Sequence, residues 1–256
     1  MISAERIDWI DSNDRISYIF ELKSSPKASD LKKLVIAIDG PAASGKSTTS
    51  KIVAARLGYL FIDTGAMYRA MTLKVLEEGI DPSQRVKIGE LAGKTQIRLE
   101  HQHGRLRVLL DNLDVTDAIR SQVVTRAVSA VSSIESVRRL MVREQRRMGE
   151  HGGVVLEGRD IGTVVFPKAD LKIFMMANVR ERARRRQIEL REQGLEISLE
   201  DISDQIIERD QMDSERDISP LRKADDAFVV DTSDLTIEEQ VDFIVEKAKE
   251  ILKSKQ

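Results

Sequence analysis

Gly40, Pro41, Ala42, Ala43, Ser44, Gly45, Lys46 and Ser47 fit the spacing G-x-x-x-x-G-K-[ST], and each residue type answers a need of a bound polyphosphate. Glycines at 40 and 45 free the backbone, so that successive N–H groups turn inward on phosphate oxygens. A helix beginning near Gly45 adds the positive end of its dipole. The Lys46 ammonium then neutralises β- and γ-phosphate charge, and the Ser47 hydroxyl is placed to hold Mg²⁺. With Thr48 behind it, this run is the predicted nucleoside triphosphate site.

Arginines supply the other candidate chemistry, because a guanidinium fork suits the non-bridging oxygens of a phosphate. Arg69 follows Thr64-Gly65-Ala66-Met67-Tyr68, and Arg159 with Asp160 follows an apolar run at 154–157. Arg180, Arg182, Arg184, Arg185 and Arg186 crowd one helical stretch, while Arg209 and Arg216 bracket Asp210 and Asp213. The crowded stretch fits either a solvated face balanced by Glu181, Glu189 and Glu192 or a lid that closes over ATP and excludes water. Beside a phosphate loop, the lid is the stronger reading. A GTP switch is disfavoured, since no Asn-Lys-x-Asp tetrapeptide occurs.

These residues need a scaffold, and the phosphate loop requires a strand before it and a helix after it. The continuous apolar run Leu34–Asp39 predicts a buried parallel strand, and helical spacing follows from about Gly45 to Leu57. A strand at 59–62, a turn at 63–65 and a helix at 66–78 continue an alternation that predicts a parallel α/β sheet. Period-two stretches at 95–100 and 105–110, joined around His103-Gly104, break it as an antiparallel hairpin and mark a small inserted subdomain. Further on, the pattern predicts two helices within 119–148 and a strand at 153–157 with a turn at 158–162. A strand at 170–177, helices at 180–194 and 199–213, a strand at 228–231 and a closing helix at 236–251 complete it.

Composition sets the outer bounds. The length divided by ~150 residues per domain gives about 1.7, which fits one large domain carrying an insertion. With 41% hydrophobic and 33% charged residues, the chain reads as a globular protein rather than a disordered one. Its 41 lysines and arginines against 43 aspartates and glutamates leave a net charge of -2, so no global basic field draws it to nucleic acid or anionic lipid. A nucleic-acid motor is disfavoured on the same ground. The absence of cysteine excludes disulfides, thiolate zinc sites and cysteine nucleophiles. No stretch predicts a membrane span or a signal peptide, so a cytoplasmic location is the expectation. Residues 1–33 read as an appended segment with a linker at Ser24–Ser29. Their alternatives are a docking arm built on Trp9, Ile10, Tyr18, Ile19 and Phe20, or a loosely packed leader.

From about Lys33 to Ile251 the sequence resembles the bacterial cytidylate kinases, within the nucleoside monophosphate kinases. The resemblance rests on Ile38-Asp39-Gly40-Pro41, on Asp63-Thr64-Gly65-Ala66-Met67-Tyr68-Arg69, on Glu157-Gly158-Arg159-Asp160-Ile161-Gly162-Thr163-Val164-Val165-Phe166-Pro167, and on Glu208-Arg209-Asp210 with Arg216 beyond. It implies an α/β P-loop fold with a parallel core sheet, an inserted acceptor-binding subdomain at about 84–118 within a kinase domain at 34–256, and an arginine lid at about 178–196. The implied reaction is phosphoryl transfer from Mg²⁺-ATP to CMP and dCMP in a protein that is commonly monomeric.

Carried over residue by residue, the resemblance places Arg69, Arg159 and Arg209 around the acceptor phosphate, and Ser129, Arg138 and Asp160 at the cytosine. It places Asp213 with Arg209 near the sugar, and Arg182, Arg186 and Arg216 at the lid or transfer site. Thr64 stands where the family commonly has serine, and Glu157 where aspartate is frequent; Tyr68 belongs to the acceptor-binding run. Cytosine offers an amino donor and the N3 and O2 acceptors, which suit a serine oxygen and a guanidinium. Uracil reverses two of these groups, and each mispaired buried group costs ~1–3 kcal/mol. Asp39 and Asp160 are carboxylates placed to surround the metal, though Asp39 equally fits as a cap of the loop. Two other readings remain, a P-loop binding module that engages a partner through residues 1–30 and a kinase of another small acceptor.

Overall fold

The computed structural model describes residues 33–102, 105–192 and 194–255, together with the backbones of two short strands nearer the start. The elements run β1 (Arg6–Ile7), β2 (Ile16–Glu21), β3 (Val35–Asp39), α1 (Lys46–Leu57), β4 (Leu60–Asp63), α2 (Thr64–Glu77), α3 (Arg85–Ala92), β5 (Ile97–Gln102), β6 (Arg105–Leu110) and β7 (Leu113–Asp114). After a 3₁₀ turn at Ala118–Arg120 come α4 (Gln122–Ser132), α5 (Glu135–Gly149), β8 (Val154–Gly158), a π-helical turn (Ile161–Val165), β9 (Leu171–Met176), α6 (Val179–Glu192), α7 (Leu199–Glu215), β10 (Phe228–Asp231) and α8 (Ile237–Ser254). They divide into two compact units, one of Lys32–Asp63 with His151–Gln256, the other of Met1–Leu31 with Thr64–Glu150.

The first unit holds a five-stranded sheet in the order β10-β9-β3-β8-β4, parallel throughout. Its middle strand, β3, is apolar up to its closing Asp39 because both faces are covered; Ile36, Ala37 and Ile38 have no exposed surface, as a central parallel strand requires. Asp39, Asp63, Glu157 and Asp231 stand at or beside the carboxyl ends of their strands, the end at which open α/β sheets bind ligands. α8 opens with a reciprocal capping box between Thr236 and Glu239, and α7 begins on Ser198, whose side chain accepts from the Asp201 amide. Both starts follow from Ser/Thr side chains satisfying the first free N–H groups.

In the second unit, β5 pairs antiparallel with β6, and β6 with β7. The backbone of β2 runs parallel to β5, Ile16 opposite Ile97 and Phe20 opposite His101. Helices α4 and α5 present the buried residues Val124, Val128, Val131, Val137 and Met141.

Several sequence expectations shift. The turn expected at 63–65 is absent, because α2 starts at Thr64 directly after β4. Helix α1 starts at Lys46, with Gly45 as its cap at φ +89°. Arg85–Ala92 forms α3, which was not expected; it has only eight residues, its Val86 faces out, and its buried side is only Ile88 and Ala92, so its periodic signal is weak. The turn at 158–162 continues as the π-helical turn through Val165, a local geometry with no composition cue. The docking arm and the linker expected within residues 1–33, like the His103-Gly104 hairpin tip, lie outside the described residues, apart from the backbones of β1 and β2.

Candidate active site

The phosphate loop leaves β3 at Gly40 and enters α1 at Lys46. Gly40 has φ +149° and a Cβ there would stand 2.0 Å from the Met175 carbonyl oxygen, so only glycine fits. Gly45 is also in the left-handed region, and so is Ala43 at φ 58°. A left-handed alanine costs ~1–2 kcal/mol, which makes the loop a place where backbone strain is held. Nothing in the residue type at 43 announces it.

Lys46 Nζ donates to the Pro41 carbonyl at 2.6 Å and to Ser44 Oγ at 3.2 Å, folding the side chain back across its own loop. Burial and the nearby Arg159 guanidinium pull its ammonium down to about 7, against the opposing pull of Glu157 and Asp39. Burial, the largest of these effects, leaves the ammonium short of the solvation it would have in water, and a bound phosphate would restore its charge. Ser47 Oγ donates to Glu157 Oε1 at 2.7 Å. That hydroxyl and carboxylate form a pair of hard oxygen donors at the helix start, which suits Mg²⁺, an ion that takes one or two protein oxygens beside phosphate oxygens and water.

Asp39 caps backbone, but that of the Ile161–Val165 turn rather than of the phosphate loop. Its carboxylate oxygens accept from the Ile161 and Gly162 amides at 2.8 and 2.7 Å, so it ties the π-helical turn to the end of β3. Burial lifts its carboxyl to about 6 in spite of those two bonds.

A cluster of guanidinium groups faces the loop from within the same unit. Arg159 Nε donates to Asp213 Oδ2 at 2.9 Å. Arg216 lies 3.8 Å from Asp160 and 3.9 Å from Asp213, and its Nε donates to the Ser219 carbonyl at 2.6 Å. The buried Nε of Arg209 meets no hydrogen-bond partner among the described residues. Burial and Arg159 together lower the Arg209 guanidinium to about 10.

Burial would raise the Asp213 carboxyl, but Arg159, Arg209 and Arg216 outweigh it and hold it below its ordinary value. A carboxyl with a depressed folded-state pKa contributes stability above its unfolded pKa of about 4 and loses it as pH falls through the folded value. An Asp213→Asn variant is therefore expected to be less stable at neutral pH by about 3 kcal/mol, as for a broken buried ion pair. Its deficit should shrink as pH drops below about 4. Urea unfolding of both proteins at pH 7 and pH 3 checks this, and a pH-independent deficit contradicts it.

The arginines of α6 divide by surroundings. Arg182 is buried; its guanidinium reaches Asp210 at 2.6 Å and the loop carbonyl of Ala42 at 3.3 Å. Arg186 pairs with Glu189 at 2.9 Å on the helix surface, and Arg184 pairs with Glu181. One face of the helix thus supports the phosphate loop while the other is solvated. Asp210, which stands in the Glu208-Arg209-Asp210 run but was given no role there, is the carboxylate that aims Arg182.

Of the three residues expected at the base, the second unit holds Ser129 and Arg138, while Asp160 belongs to the first. Arg138, 2% exposed, donates to the Ser132 carbonyl at 3.1 Å and lies 5.2 Å over the Tyr68 ring. Ser132 Oγ donates to the Ser129 carbonyl, so Ser129, Arg138 and Tyr68 belong to one buried polar group. Arg69 bridges the Ile119 carbonyl at 3.1 Å and Thr125 Oγ1 at 2.9 Å. Thr64 is buried at the start of α2.

The model of the family described as Cytidylate kinase matches residues 36–250. The Cytidylate kinase of Bacillus subtilis is 48% identical over 219 residues, 86% of this chain and 98% of that protein. That of Salinibacter ruber is 50% identical over 221 residues, 84% of this chain and 97% of that protein. Among the described residues, no helix is long and apolar enough to cross a membrane.

Proposed function

The chain belongs to the cytidylate kinase family, and we propose on that premise that it transfers the γ-phosphoryl group of ATP in line to a phosphate oxygen of CMP or dCMP, giving ADP and CDP or dCDP. The observation that carries the reading is Lys46 folded across a phosphate loop that Arg182 reaches at Ala42, with Arg159 and Arg209 near the lysine. The acceptor is already an anion, so no base is needed and catalysis is positioning plus neutralisation of charge. Lys46 holds charge on the donor phosphates. Arg159 and Arg209 hold the acceptor phosphate, with Arg69 a third cation for it, and Asp213 fixes Arg159 while reaching the sugar.

Ser47, aided by Glu157, holds Mg²⁺, which when bound screens the donor phosphates. Arg138 reads N3 and O2 of cytosine, Ser129 its amino group, and Asp160 completes the polar set. Residues 84–118 serve as the acceptor subdomain and 178–196 as the lid.

ADP release from Mg²⁺-ATP, measured with CMP, dCMP, UMP, AMP, GMP, dTMP and no acceptor, tests the reading. Turnover confined mainly to CMP and dCMP is expected. Preference for another monophosphate would remove Ser129 and Arg138 from the base site, and no acceptor-stimulated turnover would remove the kinase reading. In the same assay an Arg138→Met variant should lose about tenfold in its CMP-over-UMP ratio, one mispaired polar group's worth. An unchanged ratio removes Arg138 from base recognition.

A further inference from the structure

Thr232, directly after β10, is fully buried, and neither the phosphate-loop pattern nor the arginine cluster includes it. Its hydroxyl donates to the Ser44 carbonyl of the phosphate loop at 3.0 Å. The same hydroxyl accepts from Arg185 at 3.0 Å, and the Thr232 carbonyl accepts from the other arm of that guanidinium at 2.6 Å. Arg185 Nε is held in turn by Glu181 at 3.1 Å. The guanidinium sits beside Gly45, 3.5 Å from where a Cβ would stand. Since Ser44 Oγ accepts from Lys46 Nζ, one hydrogen-bonded chain runs from helix α6 through Thr232 and Ser44 to the phosphate-binding lysine.

We propose that Thr232 and Arg185 are positioning residues for the phosphate loop, fixing the Ser44–Gly45 peptide so that its N–H faces the nucleotide's phosphates. In a trans peptide the carbonyl and the following N–H point in opposite directions. Anchoring the Ser44 oxygen on Thr232 therefore holds the Gly45 N–H facing away from Thr232, where rotation of the peptide would otherwise swing it. Arg185 grips both oxygens of Thr232 and so removes the freedom of the hydroxyl that does the anchoring. A preset donor loses no orientation entropy when phosphate arrives.

The proposal rests on the reading that this loop binds ATP, and its test separates the two. With the full-length chain, Thr232→Val removes the hydroxyl at constant volume, and Thr232→Ser keeps it. The KM for ATP of Thr232→Val should rise about tenfold, as expected for one buried hydrogen bond, while the KM for CMP at saturating ATP stays within about twofold and Thr232→Ser stays near the parent. Arg185→Met, on a half-buried side chain, should shift the ATP KM in the same direction by less, and it decides the matter if Thr232→Val does not fold.

Equal impairment of the valine and serine variants, parallel rises in both KM values, or an unchanged KM for ATP in the valine variant would each overturn the proposal. Should the parent transfer nothing to CMP, the functional reading fails alone. The rise in melting temperature that ATP itself produces then remains the readout. It should be smaller for Thr232→Val than for Thr232→Ser, and equal rises overturn the proposal.

Discussion

A Lys46→Met variant is expected to lose about a thousandfold in kcat, at the upper end of what one preorganised donor to developing charge supplies, while its unfolding transition stays close to that of the parent. The two halves of this expectation have separate causes. In the resting loop Lys46 is nearly buried and, among the described residues, bonds to Pro41 and Ser44 of its own loop. Its charge costs the folded state, as the fall toward 7 records, so an apolar side chain of similar length removes a strained cation rather than a support. In the reaction the same charge is opposed to the phosphates, and no other lysine lies within the loop to replace it. Steady-state ADP formation together with a urea melt tests both halves. Turnover within about tenfold of the parent would take Lys46 out of the charge-neutralising role.

Gly40→Ala should disable the same loop by geometry instead of charge, at about 3 kcal/mol of stability or more. The added Cβ would meet the Met175 oxygen at 2.0 Å and its carbonyl carbon at 3.0 Å. That carbonyl belongs to β9, which is paired on one side with β3 and on the other with β10, so the obstacle cannot step aside without opening the sheet. Gly58→Ala is the matched control, for it too has a positive φ, +66°, but nothing within 4 Å of a Cβ. It should cost only the ~1 kcal/mol of the backbone conformation. Thermal melts of the two variants side by side check the difference, and equal losses would show that conformation rather than close approach makes Gly40 necessary.

Where the chain's own pattern is strong, the fold was readable. Leu34–Ile38 is apolar because β3 is covered on both faces, and the phosphate-loop spacing needs β3 and α1 at its ends. What escaped reading depends on partners distant in sequence. Asp39 caps the π-helical turn more than a hundred residues on, and Thr232 meets Ser44 across a similar span; neither residue type nor spacing carries that information. The division of α6 is a case between the two. Its five closely spaced arginines were visible as a cluster, but which of them turn inward is decided by Asp210, Ala42 and Thr232.

The order of strands in the core sheet also sets a timetable for synthesis. β3 obtains its neighbours from far downstream, Val35 pairing with Val154 and Ile36 with Leu171. At ribosomal rates of ~5–20 residues per second, the nascent β3 waits on the order of ten seconds for either partner. Throughout that interval an apolar strand with unpaired edges is exposed to other chains. The segment Thr64–Glu150, whose strands β5 and β6 are neighbours in sequence, is complete in the meantime. Long-range parallel pairing of this kind is slow to close, so the phosphate loop is translated before the strands that flank β3 and acquires its shape only after them.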